Sequence, residues 1–193
     1  MSHTFLNASD AALLLIDHQV GTMSWVHSIG FEEMEANALA LAKAAKALDI
    51  PLVLTSSMED HAQGPLFDEL QAVAPEEFAS RIQRQGVVNA LDDEAFAEAV
   101  KATGKRVLII AGVTNDVCTV FPTLTAIDQG YEVHVVADAG GSPTQRADEV
   151  ALDRMARAGA NITSTNQILA ELAQSWTSPA GSKILPIVSE LLS

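Results

Sequence analysis

Cysteine is almost absent from this chain of 193 residues, in which Cys118 is the only one. A single cysteine excludes an internal disulfide and is typical of proteins that work in a reducing compartment. Basic residues are also scarce, with 11 Lys and Arg against 25 Asp and Glu and a formal net charge of −14. Because no basic cluster is present, the sequence predicts that neither nucleic acid nor an anionic membrane is a partner.

Long apolar runs are missing as well. The longest, Ala11–Ile16, has the length of a strand and is far too short to span a membrane. The segment Met1–Asp10 is polar and lacks the basic and apolar regions of a signal peptide. Together with the single cysteine, these features predict a cytoplasmic protein. Only 19% of the residues are charged, which fits a subunit that hides part of its surface in a homo-oligomer.

Continuous apolar segments alternate with helical patterns along the chain, and such segments are typical of parallel strands covered on both faces. The predicted strands are Ala11–Asp17, Pro51–Ser56, Phe78–Ile82, Arg106–Gly112, Glu132–Ala137 and Asn161–Ser164. The predicted helices are Phe31–Leu48, Asp92–Thr103, Cys118–Gln129, Thr144–Ala158, Gln167–Trp176 and Pro186–Leu192. This alternation predicts an α/β fold, a three-layer α/β/α sandwich with a central, mostly parallel, six-stranded Rossmann-like sheet.

The length suits one domain. We assign the domain to residues 1–176 and a C-terminal arm to residues 177–193, which would pack on the domain or on a neighbouring subunit. The segment Thr177–Lys183 contains Ser, Pro and Gly and is predicted to be a loop or hinge.

Cys118 lies where the fourth predicted strand turns into a helix. Pro122 sits comfortably only in the first turn of that helix, which places Cys118 at its N-terminus. The helix N-terminus is partially positive and offers free N–H groups, which predicts a lowered thiol pKa and a place for an oxyanion. The alternative is a buried and inert cysteine that only fills space.

Two further residue types point to the same edge of the predicted sheet. Asp17 ends the first strand, where it could serve as a general base for the thiol or, equally well, as a helix N-cap. Arg81 and Arg84 lie in the segment Ser80–Gly86, and either cation could stabilise a carboxylate and a thiolate, or simply lie in solvent.

These residues stand in segments that resemble the isochorismatase-like cysteine hydrolase superfamily, and within it the YcaC-type subgroup. The resemblance covers roughly residues 10–176, and it is carried by Leu14–Gly21 (LLIDHQVG), Leu54–Gly64 (LTSSMEDHAQG), Lys101–Pro122 and Gly130–Asp138. It implies the isochorismatase-like hydrolase fold, a homo-oligomer that could be an octamer of stacked rings, and a cysteine hydrolase of amidase type.

The resemblance also implies roles for individual residues. The family has an Asp–Lys–Cys triad, in which Asp17 and Cys118 match the first and last members. Arg84 stands at the position of the Lys, where it can hold charges but cannot shuttle a proton, and Arg81 is the alternative. A cis peptide bond between Val113 and Thr114 would turn the Thr114 N–H toward the site to form an oxyanion hole with the Cys118 N–H.

The predicted activity is hydrolysis of a small amide-like C–N bond through a thioester on Cys118, without a cofactor. Nicotinamidases of this superfamily bind a metal through an Asp-x-His arrangement, whereas Glu59-Asp60-His61 lacks that spacing, so we predict no metal site. The candidates for the substrate pocket are Gln19, Trp25, Phe31 and His61. The alternative function is a non-hydrolytic or redox-responsive oligomer with an activated thiol.

Overall fold

The computed structural model describes residues 6–193, and residues 1–5 of the predicted domain and of the segment Met1–Asp10 lie outside this range. Within it, six strands form one sheet: β1 Ala11–Ile16, β2 Leu52–Ser57, β3 Ile82–Arg84, β4 Val107–Gly112, β5 Glu132–Val136 and β6 Asn161–Thr163. The helices are α1 Val20–Ser24, α2 Phe31–Ala47, α3 Asp68–Val73, α4 Pro75–Ala79, α5 Glu94–Ala102, α6 Val120–Asp128, α7 Gln145–Ala158, α8 Thr165–Ala173 and α9 Pro179–Leu191. All strand pairs are parallel, in the order β3-β2-β1-β4-β5-β6.

The central strand β1 shows why its sequence is continuously apolar. All six of its residues are buried. Leu13 and Leu15 belong to the core shared with α2, α3 and α8, whereas Leu14 and Ile16 belong to the core shared with α5, α6 and α7. Because successive side chains of a strand point to opposite faces, a strand covered on both faces must be apolar at every position. The predicted three-layer α/β/α fold is confirmed.

The third strand differs from its prediction. The predicted strand began at Phe78, but Phe78 lies in α4, and the observed strand β3 runs over Ile82–Arg84. The register pairs Thr55 with Ile82 and Ser57 with Arg84. A strand of three residues at the sheet edge has no apolar run of its own, so pairing with β2 rather than hydropathy places it.

The C-terminal segment also differs from its prediction. The predicted loop over Thr177–Lys183 is wrong for most of its length, because α9 begins at Pro179. The Ser178 side chain accepts a hydrogen bond from the Gly181 N–H, and Pro179 stands at the first helical position. Ser and Pro in these places are start signals of a helix rather than of a loop. Helix α9 packs on α2 and α8, and no helix among residues 6–193 is long and apolar enough to cross a membrane.

The sheet topology brings two loops together. Strand β1 is flanked by β2 on one side and β4 on the other, so the chain leaves β1 and β4 in opposite directions across the sheet. A crevice forms outside the carboxyl ends of strands at such a switch point, which is where open α/β sheets bind ligands. Asp17 follows β1 directly and the segment up to Cys118 follows β4, so both predicted site residues belong to this crevice.

Candidate active site

Asp17 occupies the first position beyond β1. Its backbone N–H donates to the Thr55 carbonyl at 2.9 Å, which extends the pairing with β2 by one residue. Its φ of 58° is in the left-handed region, which Asp tolerates better than most residues. The N-cap of the next helix is Gln19, so Asp17 is not a helix cap. With only 2% exposure, its carboxylate needs a buried partner.

Arg84 is that partner. Its Nη2 atom donates to both carboxylate oxygens of Asp17, and the Arg84 side chain is as fully buried as the carboxylate. The Nε atom donates to Thr55 Oγ1 at 3.0 Å, and Nη1 donates to the Val87 carbonyl at 2.5 Å. Every nitrogen of the guanidinium is therefore engaged, and the group is held at the end of β3.

Arg81 lies elsewhere. Its guanidinium pairs with Glu59, through Nε at 2.6 Å and Nη2 at 2.8 Å, and it stacks on the Phe78 ring. This ion pair lowers the pKa of the Glu59 carboxyl and raises the pKa of the Arg81 guanidinium. Of the two arginines that the sequence offered, the structure brings Arg84 to Asp17 and Arg81 to the neighbouring loop.

Cys118 sits in one π-helical turn, Asn115–Thr119, that leads into α6. The peptide bond between Val113 and Thr114 is cis. The Cys118 thiol interacts with the Asp17 carboxylate and with the Thr114 backbone N–H. Asp17 and Cys118, which lie about a hundred positions apart in the sequence, thus meet at one sulfur atom near the N-terminus of a helix.

Opposing effects act on the pKa values of Asp17 and Cys118. Burial raises the pKa of Asp17, while Arg84 and the thiol act in the opposite direction. Burial also raises the pKa of Cys118, and the neighbouring Asp17 carboxylate raises it further, against smaller lowering effects of Thr114 and Arg84. The contact of Arg84 with both oxygens of Asp17 favours the ionised carboxylate, whereas burial and that carboxylate favour a neutral thiol at Cys118.

The predicted lowering of the thiol pKa is wrong. Loss of the thiol proton to solvent would leave two negative charges against one positive charge in a buried site, and the helix N-terminus does not compensate for that. Transfer of the proton from Cys118 to Asp17 keeps the total charge unchanged. The geometry therefore favours a thiolate that forms only by internal proton transfer.

A cavity of about 300 Å³ opens above these groups. Asp17, Arg84, Thr114 and Cys118 belong to its lining. Its other lining residues are mostly apolar and include Trp25, Met58, Val87, Val88, Val117 and Pro143. An apolar cavity with a few convergent polar groups is the usual form of a site for a small molecule.

The predicted pocket residues divide into two groups. Gln19 and Trp25 line the cavity. His61 does not, because it lies at a separate depression with Glu59 and Asp60, and Phe31 is the half-exposed first residue of α2. Their placement in the pocket is thus not supported by the described residues.

The side-chain amide of Gln19 connects two backbone segments near the cavity. Its Nε2 donates to the carbonyl of Ser57 at 3.0 Å and to that of Gly64, and its Oε1 accepts from the Ser57 N–H at 2.8 Å. Because the amide is fully engaged, Gln19 ties the end of β2 to the loop that carries Met58.

Sequence reasoning missed several lining residues. Val87 and Val88 follow the turn at Gly86 and are 38% and 57% exposed, and Val117 precedes the cysteine and is 38% exposed. Asp116 also lines the cavity. Asp116 could have been predicted from the sequence, because it lies inside the motif that ends at Cys118. The exposed valines can be assigned to the cavity only once the position of β3 is known.

A second buried network supports the turn before Cys118. The Asn115 N–H donates to the Gly141 carbonyl at 2.7 Å, and its side-chain amide donates to Asp148 Oδ1 at 3.1 Å. The Ser142 hydroxyl donates to the same Asp148 oxygen at 2.7 Å. A Cβ atom on Gly140 would lie 2.3 Å from the Gly112 carbonyl oxygen, so only glycine allows this approach of the two loops.

The described residues form no metal-ligand cluster. Within residues 6–193, no three His, Cys, Asp or Glu side chains are grouped so that they could hold a metal ion. The absence of a metal site remains a prediction for the whole protein.

Comparison with known proteins assigns the family. The protein-family model of the isochorismatase domain matches residues 11–167, which is most of the chain. The chain belongs to the isochorismatase domain family. Within this family it is 44% identical over 171 residues to the probable hydrolase YcaC of Escherichia coli, an alignment that covers 89% of this chain and 81% of the relative.

Two solved structures of isochorismatase-family members are similar over the whole chain. One is YcaC from Pseudomonas aeruginosa with hexane-2,5-diol and covalent acrylamide, at 40% identity and a TM-score of 0.89, covering 100% of this chain and 97% of that one. The other is the Escherichia coli YcaC structure, described as an octameric hydrolase of unknown specificity, at 41% identity and the same TM-score, covering 100% and 96%. The predicted YcaC-type membership is confirmed, and the chain is a hydrolase-family protein.

Proposed function

We propose that this chain is a cysteine-dependent hydrolase that cleaves the C–N bond of a small amide-like substrate through a thioester on Cys118. The observation that carries the proposal is the position of the Cys118 thiol, which faces a carboxylate clamped by Arg84 at the end of a mostly apolar cavity. A nucleophile beside a base that a third group orients is the general arrangement of covalent catalysis.

The first half of the reaction begins with proton transfer. Asp17 accepts the thiol proton, and the Cys118 sulfur attacks the carbonyl carbon of the amide. The developing oxyanion would be held by the Thr114 and Cys118 backbone N–H groups. The C–N bond then breaks, the amine leaves with the proton that Asp17 returns to it, and an acyl group remains on the sulfur.

The second half reverses these roles. Asp17 accepts a proton from water, the resulting hydroxide attacks the thioester carbon, and the carboxylic acid leaves as the sulfur takes a proton back. Arg84 stays protonated throughout because a guanidinium does not lose its proton in proteins. Its role is to keep the Asp17 carboxylate facing the thiol, so proton transfer falls to Asp17 alone.

Small amides are the first substrates to test. The Pseudomonas aeruginosa relative is described with covalent acrylamide, itself a primary amide. A cavity of about 300 Å³ suits molecules of this class. The raised pKa of Cys118 speaks against the alternative of a redox-responsive thiol, because such sensors depend on a stable, exposed thiolate.

Intact-mass spectrometry with a panel of small amides tests the proposal. We expect wild type to gain an acyl mass that decays with release of acid, and Cys118→Ala to gain none and to lose about 10⁴-fold or more of the turnover. Asp17→Asn is expected to retain the thiol but to form the adduct slowly. Turnover that survives in Cys118→Ala would refute the mechanism.

The assembly and location of the protein belong to the same proposal. The Escherichia coli relative is described as octameric, and we propose that this chain also forms a homo-oligomer, an octamer of stacked rings. Light scattering should then give roughly 160 kDa for a chain of 20.4 kDa. A mass of one chain would contradict it. A cytoplasmic location, and a small molecule rather than nucleic acid or membrane as partner, remain predictions of the sequence.

A further inference from the structure

The charge of the cavity restricts its substrates. Among the described residues that line it, Arg84 is the sole Lys, Arg or His, and its charge is matched by Asp17. Its guanidinium nitrogens are all engaged, by Asp17, by Thr55 and by the Val87 carbonyl. No cation of the lining is therefore left to bind an anionic group of a substrate.

Asp116 is the second acidic residue of the lining, and no Lys, Arg or His among the described residues forms an ion pair with it. It lies in the turn that carries Cys118 and lines the cavity. Its Oδ1 atom is shielded from solvent and has no hydrogen-bond partner among the described residues. The positive end of the helix, which could otherwise attract a substrate anion, already has this carboxylate in its first turn.

The apolar side chains of the lining suit a hydrocarbon group of the substrate rather than a charged group. The side chains of Trp25, Met58, Val88 and Pro143 are apolar or aromatic and lie around the same cavity. Such a lining stabilises hydrocarbon groups by removing them from water. A carboxylate placed there would lose much of its hydration without finding a cation in the lining, and Asp116 would repel it.

We infer that the substrate is an uncharged or cationic amide with a mainly hydrocarbon body, and that Asp116 excludes substrates that carry a carboxylate. This inference rests on the proposed function, because it names the substrate class of the same cavity. It makes Asp116 a specificity-determining residue. Dicarboxylates, the class to which isochorismate belongs, are therefore outside the range of this site.

A pair of alkylating reagents measures the charge preference without hydrolysis. Iodoacetamide and iodoacetate differ in charge, and both react when the Cys118 sulfur bonds to the methylene carbon, iodide leaves with the C–I electron pair and the thiol proton passes to Asp17. The rates on wild type, each divided by the rate on glutathione, are expected to favour iodoacetamide by about tenfold or more.

The variant Asp116→Asn should reduce this preference at least about fivefold. Asp68→Asn is the matched control, because Asp68 is an exposed residue in the first turn of α3 and its loss changes the net charge by the same amount. Asp68→Asn should leave the preference unchanged. Equal preference in wild type and Asp116→Asn, or faster labelling by iodoacetate, would overturn the inference.

Binding to Cys118→Ala separates this inference from the proposed function. The neutral 4-methylpentanamide and the anionic succinamate have nearly the same shape, and their binding is measured by ligand-observed NMR. We expect the neutral amide to bind about tenfold more tightly or better, and the difference to shrink when Asp116→Asn is added. Equal binding overturns the inference, whereas tight binding of an amide that wild type never hydrolyses overturns the proposed function alone.

Discussion

The Arg84 guanidinium donates from one nitrogen to both carboxylate oxygens of Asp17, and both residues are 2% exposed. The two residues are 67 positions apart in the chain and lie at the ends of β3 and β1. Removal of either member leaves an uncompensated charge in a buried place, which is far less favourable than removal of an exposed ion pair.

Arg84→Met is therefore expected to lower the free energy of unfolding by about 3–5 kcal/mol. The double variant Asp17→Asn with Arg84→Met should recover part of this loss, because it leaves no charge unpaired and Asn tolerates the left-handed backbone of position 17. Arg81→Met is the control, since its pair with Glu59 is partly exposed, and it should lower the free energy by about 1 kcal/mol or less. Urea unfolding measures all three, and equal losses for Arg84→Met and Arg81→Met would contradict the prediction.

Asp17→Asn should make the Cys118 thiol more acidic while it slows formation of the acyl adduct. The Asp17 carboxylate raises the pKa of Cys118 by its charge and by its interaction with the thiol, and Arg84 lowers it. Without the carboxylate, the cation acts alone, so we expect the thiol pKa to fall by about one unit or more. The ultraviolet absorbance of the thiolate against pH measures this, with Cys118→Ala as the blank. An unchanged or higher thiol pKa in Asp17→Asn would show that the two groups are not coupled.

His18 should make the protein sensitive to acid. Its ring is fully buried, Nε2 donates to the Ala139 carbonyl at 2.7 Å, and Nδ1 has no partner among the described residues. Burial lowers the pKa of His18 from 6.5 to about 4. The unfolded state therefore binds more protons between these values, so this part of the stability is complete above pH 6.5 and is lost as the pH falls toward 4.

The full loss from His18 amounts to about 3 kcal/mol. His18→Gln removes the titration, and its free energy of unfolding should decline less than that of wild type between pH 7 and pH 4. Asp17 titrates in both proteins, with its raised pKa and hence the opposite sign, so the difference between the two curves isolates His18. Parallel curves for the two proteins would rule out His18 as the group responsible.

Gly140→Ala tests the packing that supports the cysteine turn. The added Cβ would meet the Gly112 carbonyl oxygen at 2.3 Å and the Asn115 amide oxygen at 2.6 Å, and the carbonyl belongs to the backbone of β4. We expect a loss of about 2–4 kcal/mol in thermal or urea unfolding, together with a lower rate of Cys118 labelling. Gly30→Ala is the control, because its Cβ has only a contact at 3.9 Å with Glu33, and it should cost about 1 kcal/mol or less. Similar losses for both variants would refute the steric explanation.

The sequence pattern was sufficient for the strands in the middle of the sheet and for the edge strand β6, which was predicted to within one residue, but it misplaced the edge strand β3. β1 and β4 are continuously apolar because both of their faces are covered, and their predicted positions agree with the structure within one residue at each end. β3 has no such pattern, because an edge strand of three residues is placed by its pairing with β2. Only the C-terminal part of α9 was predicted, as Pro186–Leu192, because Ser178 and Pro179 occur both in loops and at helix starts.

The sequence by itself determined the fold class, the family and the position of Cys118 at a strand-to-helix turn, since these follow from local pattern and motif. The tertiary structure decided which arginine meets Asp17, because that depends on the register of β3 against β2. It also decided the sign of the thiol pKa shift. A helix N-terminus can be read from the chain, but burial and a carboxylate contributed by a residue 101 positions away exist only once β1 and β4 lie side by side.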